Sequence, residues 1–456
     1  MVDLVIRGGN VVLPDGAAPV DLGIEDGRIA AVGAGLPGGR EEIDARGFTV
    51  LPGAIDAHLH FNEPGRTEWE GAWTGSRGLA AGGGTLYFDM PLNSTPCTLD
   101  AASFEAKRAA LAASSITDFG LWGGLVPGNL DRMEELASCG AIGFKAFLCD
   151  SGLPEFPRAD DYTLYEGLRT AARLGLPVAV HAESQEITAG LTARLRAEGA
   201  TSIRAWLDSR PAIAEVEAIQ RACLLAREAG ARLHIVHISS GRGVAAALEA
   251  RARGADVSIE TCAHYLFFTE EDLERLGAVA KCAPPLRSAA ERENLWRHLL
   301  NGQVDIVASD HSPSAPELKQ DADFFRIWGG IAGVQSTLAV LLEAGCHQRG
   351  LPLESVARLT ATTPAERFAL PRKGRIAEGC DADLVLVDVA GQSTLTMQDL
   401  HQRHRTSPYL GFTFRGRIHQ TLRRGRLVYR DGVIMEAGPG QLVHPTPRKD
   451  LSRCNS

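Results

Sequence analysis

The chain has 456 residues, of which 45% are hydrophobic and 23% are charged, the composition of an ordinary globular protein. Its formal net charge of −9 comes without a basic stripe, so nucleic acid is not expected as a partner. No apolar run approaches the roughly 18 residues of a membrane span, and the N-terminus lacks the apolar core of a signal peptide. Nine scattered cysteines without a CxxC pair indicate reduced thiols, so we expect a cytoplasmic protein.

The two ends of the chain have the pattern of antiparallel β-structure. The stretch DLVIRGGNVVLPDGAAPVDLGIEDGRIAAVG alternates strand-like runs with PDG and EDG, which are hairpin turns. The segments DADLVLVDV and HQTLRRGRLVYRDGVI near the other end have the same character. We therefore predict a small β-sandwich-like domain built from residues 1–51 and 371–456, with the last residues forming a tail.

Between these ends, residues 52–370 alternate short apolar runs with segments of helical length. The eight runs are GFTVLPGAIDAHLH, GTLYFDMP, DFGLWGGLVP, AIGFKAFL, LPVAVHAE, RLHIVHISS, DVSIETCAHYL and VDIVASDHS. Several of them are preceded by a glycine, the residue that most easily adopts the left-handed backbone conformation at the end of an α-helix. These are Gly140, Gly175, Gly230 and Gly254. Eight strand–helix units predict a TIM (β/α)8 barrel. A doubly wound sheet is the alternative, but AAGGGT at 80–85 lacks a nucleotide-binding fingerprint and is interpreted as a helix end.

Six side chains that could bind metal fall near the carboxyl ends of these strands, where barrel active sites lie. They are His58, His60, Lys145, His181, His237 and Asp310. His58 and His60 stand two residues apart on a strand and so point to the same face. A hydrogen bond would explain any one of these histidines alone, but six such residues from five strands favour a metal centre. Lys145 would repel metal ions unless it pairs with a carboxylate or has become a carbamate that bridges two metals.

Several long motifs resemble those of the cyclic amidohydrolases in the amidohydrolase superfamily, a group that includes allantoinase, dihydroorotase and hydantoinase (dihydropyrimidinase). The motifs are DAHLHFNEPGRTEWEGAWTG, GGGTLYFDMPLNSTP, GFKAFLCDSG, VHAES, HIVHISS, ETCAHYL, KCAPPLR, SDHSP and WGGIAGVQ. The resemblance extends over nearly the whole chain and implies a (β/α)8 barrel, a small β domain and a binuclear metal centre. It implies that one metal is bound by His58, His60 and Asp310, and the other by His181 and His237.

The resemblance also implies a cofactor and a reaction. Lys145, as N6-carboxylysine, would bridge two divalent ions, with zinc expected and cobalt, manganese or iron as alternatives. A hydroxide between the metals would attack the amide carbonyl of a small cyclic substrate. Asp310 would accept the proton and pass it to the leaving nitrogen. Because family members are commonly tetramers, a homotetramer is expected.

Departures from the related motifs bear on the choice of substrate. Dihydroorotases have an arginine two residues after the HxH pair, where it holds the substrate carboxylate, but this chain has Asn62. Hydantoinases have a tyrosine just past the lysine strand, where this chain has Asp150. The runs FNEPGRTEWEG, DMPLNS and CDSG are similar to those of the allantoin-hydrolysing members, which implies opening of the hydantoin ring of allantoin to give allantoate. Hydantoinase (dihydropyrimidinase) or dihydroorotase activity is the alternative, and a non-catalytic scaffold of the same fold is a hypothesis from another class.

Two loops, CDSGLPEFPRADDY and HSPSAPELKQDADFFRIWGG, are predicted to line the pocket and to act as lids. The candidate substrate contacts are Asn93, Asp150, Ser151, Ala283 and Gly329. A turn-capping role is the alternative for Asn93. Three other histidines are set aside. His234 should lie deeper on its strand, and His311 should point away from Asp310. His264 stands at a strand end and could bind metal on physical grounds, but the resemblance implies that it supports the site without binding metal.

Overall fold

The structure is a computed structural model that describes residues 1–446. The strands in this range are β1 (Leu4–Leu13), β2 (Gly16–Glu25), β3 (Arg28–Gly33), β4 (Glu41–Asp44), β5 (Thr49–Pro52), β6 (Ala54–Leu59), β7 (Gly84–Asp89), β8 (Asp118–Leu121), β9 (Gly123–Gly124), β10 (Phe144–Phe147), β11 (Val178–His181), β12 (Leu233–Ile235), β13 (Val257–Cys262), β14 (Ile306–Ala308), β15 (Leu384–Thr394), β16 (Thr413–Arg423), β17 (Arg426–Arg430) and β18 (Val433–Ile434).

The α-helices in the same range are α1 (Ala72–Ala81), α2 (Ala101–Ser114), α3 (Met133–Cys139), α4 (Asp161–Leu174), α5 (Gln185–Ala197), α6 (Ile203–Asp208), α7 (Ala212–Ala229), α8 (Gly241–Ala252), α9 (Ala263–Phe267), α10 (Glu270–Leu276), α11 (Ala289–Leu300), α12 (Thr337–Val340), α13 (Leu353–Ala357) and α14 (Thr363–Arg367). A π-helical segment, Leu341–His347, continues α12, and another, Arg358–Thr362, joins α13 to α14.

Strands from both ends of the chain form one sheet, as the hairpin patterns predict. Its order is β18-β17-β16-β15-β5-β1-β2-β3, and β4 pairs with β1. The EDG turn joins β2 to β3, with Asp26 and Gly27 both at positive φ, as a tight hairpin with right-handed twist requires. The predicted domain boundaries at 51/52 and 370/371 stay a prediction, and the predicted tail lies beyond residue 446, outside the described residues.

The eight predicted apolar runs of residues 52–370 all contribute barrel strands, which confirms the predicted (β/α)8 fold. Strands β6, β7 and β8 pair in parallel, and β9 to β14 form a second parallel set, with β8 and β9 successive parts of one chain segment. The first and last strands meet through a parallel bridge between Leu59 and His311. Such strands are mainly apolar because both of their faces are buried, and the polar residues that they contain are therefore candidates for the site.

Glycines end several barrel helices at the predicted places. Gly140, Gly175 and Gly230 have positive φ directly after α3, α4 and α7, and Gly254 has positive φ two residues after the end of α8. The glycine-rich stretch at 80–85 carries the chain out of α1 and into β7, as interpreted from the sequence. Each helix therefore returns the chain to the amino end of the next strand, and the carboxyl ends of all barrel strands collect at one rim.

Two further features agree with the sequence analysis. Among residues 1–446, no helix is both long and apolar enough to cross a bilayer. The eight cysteines in that range all have free thiols: Cys97, Cys139, Cys149, Cys223, Cys262, Cys282, Cys346 and Cys380.

Candidate metal centre

Five of the six predicted metal ligands line one cavity of about 360 Å³ at the carboxyl rim of the barrel: His58, His60, His181, His237 and Asp310. His58 lies in β6 and His181 ends β11, whereas His237 and Asp310 each lie two residues beyond a strand. Lys145, the sixth, lies within β10 and is fully buried behind this lining.

The ligand atoms converge closely enough to share an ion. The Nε2 atom of His58 lies 3.3 Å from Oδ1 of Asp310, and that of His60 lies 3.6 Å from the same oxygen. One ligand atom from each of His58, His237 and Asp310 falls within a span of 4.8 Å. The rings of His181 and His237 have centroids 4.6 Å apart, so His237 stands between His58 and His181.

Hydrogen bonds to carboxylates hold one ring nitrogen of two of these histidines and leave the other for a ligand. His58 Nδ1 is 3.0 Å from Glu260 Oε1, and His181 Nε2 is 2.8 Å from Glu183 Oε2. His60 differs, because the side-chain amide of Asn93 donates to its Nδ1 at 3.3 Å. A histidine whose second nitrogen binds a carboxylate is the usual arrangement behind a metal ion, because the hydrogen bond selects the tautomer and orients the ring.

The electrostatics favour neutral imidazoles, the form that binds metal. Burial lowers the pKa of His58 well below 6.5, and the positive charge of Lys145 lowers it further. Burial also lowers the pKa of His237 well below 6.5, assisted by His181 and Lys145. Burial lowers the pKa of His181 as well, against the opposing effect of Glu183.

Lys145 places an amine in the protein interior, where it needs a further binding partner. Its side chain is fully buried, and Nζ has no hydrogen-bond partner among the described residues. Burial lowers the pKa of its amine to about 8, although Asp310 and Glu260 act in the opposite direction. A buried amine without a partner costs free energy, so this position suits a modified lysine or a bound ion better than a free ammonium.

Unusual backbone geometry accompanies the site. His237, Asp310 and Asn93 have φ angles of +40°, +43° and +66°, in a region that side-chain-bearing residues rarely adopt. Backbone strain of this kind costs on the order of 1–3 kcal/mol per residue and is concentrated at functional sites. Two of the three residues are predicted metal ligands.

All five predicted substrate contacts line the cavity: Asn93, Asp150, Ser151, Ala283 and Gly329. Ser151 uses its hydroxyl to donate to the carbonyl of Phe156 at 2.6 Å, which shapes its own loop. Asn62, expected at the rim on sequence grounds, is instead buried outside the cavity lining and donates to the carbonyl of Pro313 at 3.2 Å. Because Pro313 lies 251 residues from Asn62 in the chain, the local sequence could not indicate this hydrogen bond.

The cavity also contains cations that the sequence analysis missed. Arg210, Lys281 and Arg326 all line it, whereas the predicted substrate contacts are all neutral or acidic. Arg210 Nη1 binds Glu183 at 2.6 Å, and Lys281 Nζ donates to the carbonyl of Phe324 at 2.6 Å. The i, i+2 spacing of His181 and Glu183 was the one signal that could have revealed part of this network.

Two of the three histidines that were set aside lie where expected, and the supporting role of His264 stays a prediction. His234 is fully buried and binds Ser258 and Glu260. His311 accepts from the main-chain N–H groups of Gly333 and Val334, so its ring faces away from the cavity. Neither these two nor His264 belongs to the cavity lining.

Comparison with known proteins shows which family this chain resembles. The model of the amidohydrolase family matches residues 49–428. An allantoinase of Solibacter usitatus is 67% identical over 445 residues, which covers 98% of this chain and 97% of that protein. An allantoinase of Rubrobacter xylanophilus is 56% identical over 448 residues, which covers 98% of each chain.

Solved structures agree in fold. The L-hydantoinase (dihydropyrimidinase) from Arthrobacter aurescens superposes with a TM-score of 0.95 at 33% identity, over 97% of this chain and 100% of that chain. The dihydropyrimidinase from Brevibacillus agri gives a TM-score of 0.90 at 31% identity, over 97% and 99%. The family match covers most of the chain, including all six predicted ligands, and so the chain belongs to the amidohydrolase family.

Proposed function

We propose that this protein is an allantoinase, an enzyme that hydrolyses the hydantoin ring of allantoin to give allantoate. The observation that carries the proposal is the cluster of four histidines and Asp310 around one cavity, next to a buried lysine amine without a hydrogen-bond partner in residues 1–446. Relatives that carry the name allantoinase at 48–67% identity over nearly the full chain support the choice of substrate.

We propose the following ligands for two divalent ions, zinc in the first place and cobalt, manganese or iron otherwise: His58, His60, Lys145, His181, His237 and Asp310. In this proposal Lys145 is carboxylated, because a carbamate offers two oxygens where the free amine offers a repelling charge. When bound, the ions supply Lewis acidity toward the amide carbonyl and make water a nucleophile near neutral pH.

The protein's own residues supply the proton transfer and the shape of the site. Asp310 accepts a proton from the attacking water at its carboxylate and delivers it to the leaving ring nitrogen, a general base that becomes a general acid. The loop that contains Phe325 and Trp328 also lines the cavity, and its aromatic side chains limit the entry of water. The product is a ring-opened carboxylate.

The cavity fits a small polar ring. Its volume of about 360 Å³ lies at the lower end of the range for small-molecule sites. Asn93, Asp150 and Ser151 are the proposed partners of the ureido arm, and the main chain near Ala283 and Gly329 is the proposed partner of the ring. Asp150 disfavours a substrate that carries a carboxylate, as dihydroorotate does.

Hydantoinase activity is the second candidate, favoured by the close structural match to hydantoinases. A non-catalytic scaffold is a weaker alternative, because every predicted ligand position is occupied by a suitable residue. Metal analysis of the purified protein tests the scaffold hypothesis: about two equivalents of divalent metal per subunit are expected, and a metal-free active protein would contradict the proposal. By resemblance to the family, we also propose a homotetramer located in the cytoplasm.

A further inference from the structure

Glu260 is a buried carboxylate in β13 that contacts both proposed ligand sets at once. Its Oε1 atom lies 3.0 Å from Nδ1 of His58 and accepts the main-chain N–H of His237 at 3.2 Å. Its Oε2 atom lies 3.0 Å from Nε2 of His234. The residue is fully buried and does not belong to the cavity lining, so it cannot meet substrate.

We propose that Glu260 is a positioning residue that couples the two halves of the metal centre, an inference that rests on the metal-dependent function proposed above. His58 belongs to the first proposed ligand set and His237 to the second. One carboxylate oxygen therefore sets the geometry of both, and a displacement of Glu260 disturbs both ions rather than one.

Glu260 contacts the side chain of His58 but the main chain of His237. At His58, the carboxylate accepts a hydrogen bond from Nδ1–H and so leaves the lone pair of Nε2 facing Asp310, 3.3 Å away. At His237, the hydrogen bond is made by the main chain, at a residue whose φ of +40° is strained. A bond to this N–H helps to hold the strained turn that carries the His237 ring toward the cavity.

A second pair of residues prevents the carboxylate from rotating. His234 occupies Oε2 of Glu260 and is itself held by the hydroxyl of Ser258, 2.8 Å from its Nδ1. All three side chains lie in the buried interior of the barrel between β12 and β13. Because both Glu260 oxygens are engaged, the distance from its backbone to His58 is set by side-chain length.

Two conservative substitutions separate positioning from charge. In Glu260→Gln, the amide oxygen can still accept from His58 and His237, and the amide NH2 can donate to His234, so the reach remains and the charge is lost. In Glu260→Asp, the charge remains but the side chain is one methylene shorter. A positioning role predicts that Glu260→Asp is the more damaging of the two.

The measurement is the affinity of chelator-treated, metal-free protein for Zn²⁺ by calorimetric titration, with Co²⁺ absorption spectra as a second readout. We expect Glu260→Asp to weaken both binding events by about 10- to 100-fold, the usual effect of losing a partner behind a ligand, and Glu260→Gln to weaken them by less than about tenfold. The Co²⁺ spectrum should change more in the Asp variant.

Glu215 offers a matched control. It is equally buried, and its Oε1 accepts the main-chain N–H of Ser239 at 2.7 Å, but it contacts none of the six proposed ligands. Glu215→Asp and Glu215→Gln should retain Zn²⁺ affinity within about twofold.

Other outcomes would overturn the inference. If Glu260→Gln binds Zn²⁺ as weakly as Glu260→Asp or more weakly, the role of Glu260 is electrostatic and not positional. If both variants bind like the wild type, Glu260 has no role at the centre, although the metal-dependent function would stand. A wild-type protein that binds no metal would overturn both proposals together.

Discussion

At the scale of single residues, Lys145 gives the sharpest test of the proposed metal centre. We predict that Lys145→Ala loses bound metal and activity, and that added short carboxylic acids partly restore both. The reason is that the centre needs a bridging carboxylate at this position, and the buried Nζ has no hydrogen-bond partner in the described residues. Metal content and turnover, each with and without acid, are the measurements. Wild-type turnover in Lys145→Ala without added acid would contradict carboxylation.

Asp310 is predicted to transfer protons as well as to bind metal. Asp310→Asn should lose at least about 10²–10⁴-fold in kcat, the usual contribution of a general base, while at least the second metal stays bound. An amide oxygen can still coordinate, but it cannot carry a proton to the leaving nitrogen. Steady-state kinetics with metal analysis on the same sample decides this: turnover within tenfold of wild type would mean that another group is the base.

At the scale of elements, Lys319 holds the loop that lines the cavity. Its Nζ donates to the carbonyls of Gly330 at 2.7 Å, Trp328 at 2.9 Å and Ala278 at 3.3 Å. We predict that Lys319→Met raises KM by roughly three- to tenfold with little change in metal content, because the loop loses three charge-assisted hydrogen bonds. Limited proteolysis should also cut the loop faster.

An exposed residue of the same turn, Glu317, supplies the control for the loop experiment. Glu317→Gln should leave both KM and the rate of proteolysis unchanged. Equal proteolysis of wild type and Lys319→Met would mean that the loop is held by its apolar contacts instead.

Glu343 and Arg415 join the π-helical segment that continues α12 to strand β16 of the β sheet. Glu343, in the π-helical segment, accepts from the main-chain N–H and Nε of Arg415 at 2.9 Å each, and from Nη2 at 2.7 Å. These bonds lower the pKa of Glu343 to about 2. We predict that Glu343→Gln reduces the free energy of unfolding by about 1–2 kcal/mol at neutral pH, less than the pKa shift alone would give, because Arg415 is partly exposed to solvent.

The sign of the pH effect follows from this lowered pKa. A carboxyl whose folded pKa lies below its unfolded value stabilises the fold fully above the unfolded pKa, about 4.5, and loses that effect as the pH falls toward about 2. The difference between wild type and Glu343→Gln in urea unfolding should therefore shrink between about pH 5 and about pH 2. A difference that is constant over this range, or that Glu354→Gln reproduces at an exposed site, would contradict the assignment.

At the scale of the whole molecule, we expect the protein to prefer one cyclic amide over the others. We predict the highest kcat/KM for allantoin, far slower turnover of hydantoin and dihydrouracil, and almost none of dihydroorotate. Polar groups meant for the ureido arm would be left unpaired by plain hydantoin, at about 1–3 kcal/mol per group. One metal-replete preparation should be assayed with all four compounds. A preference for dihydroorotate or dihydrouracil would contradict the assignment and leave the proposed metal centre intact.

Local sequence was sufficient for the architecture and for the positions of the proposed ligands. Alternating apolar runs and glycine-ended helices predicted the barrel, since both signals depend on residues close in the chain. His58 and Asp310 could be placed together because parallel barrel strands bring their carboxyl ends to one rim, whatever the distance between them in sequence.

Only the tertiary structure decided which residues support those ligands and which reach the cavity. Glu260 meets His58 across 202 residues, and Lys319 meets the carbonyl of Ala278 across 41. Asn62 was expected at the rim but is held by Pro313, 251 residues away. The periodicity of the sequence does not predict such pairs, because each pair depends on strand register and on side-chain direction across separate elements. The strand ends could be predicted from the sequence; the hydrogen bonds that orient the groups on them could not.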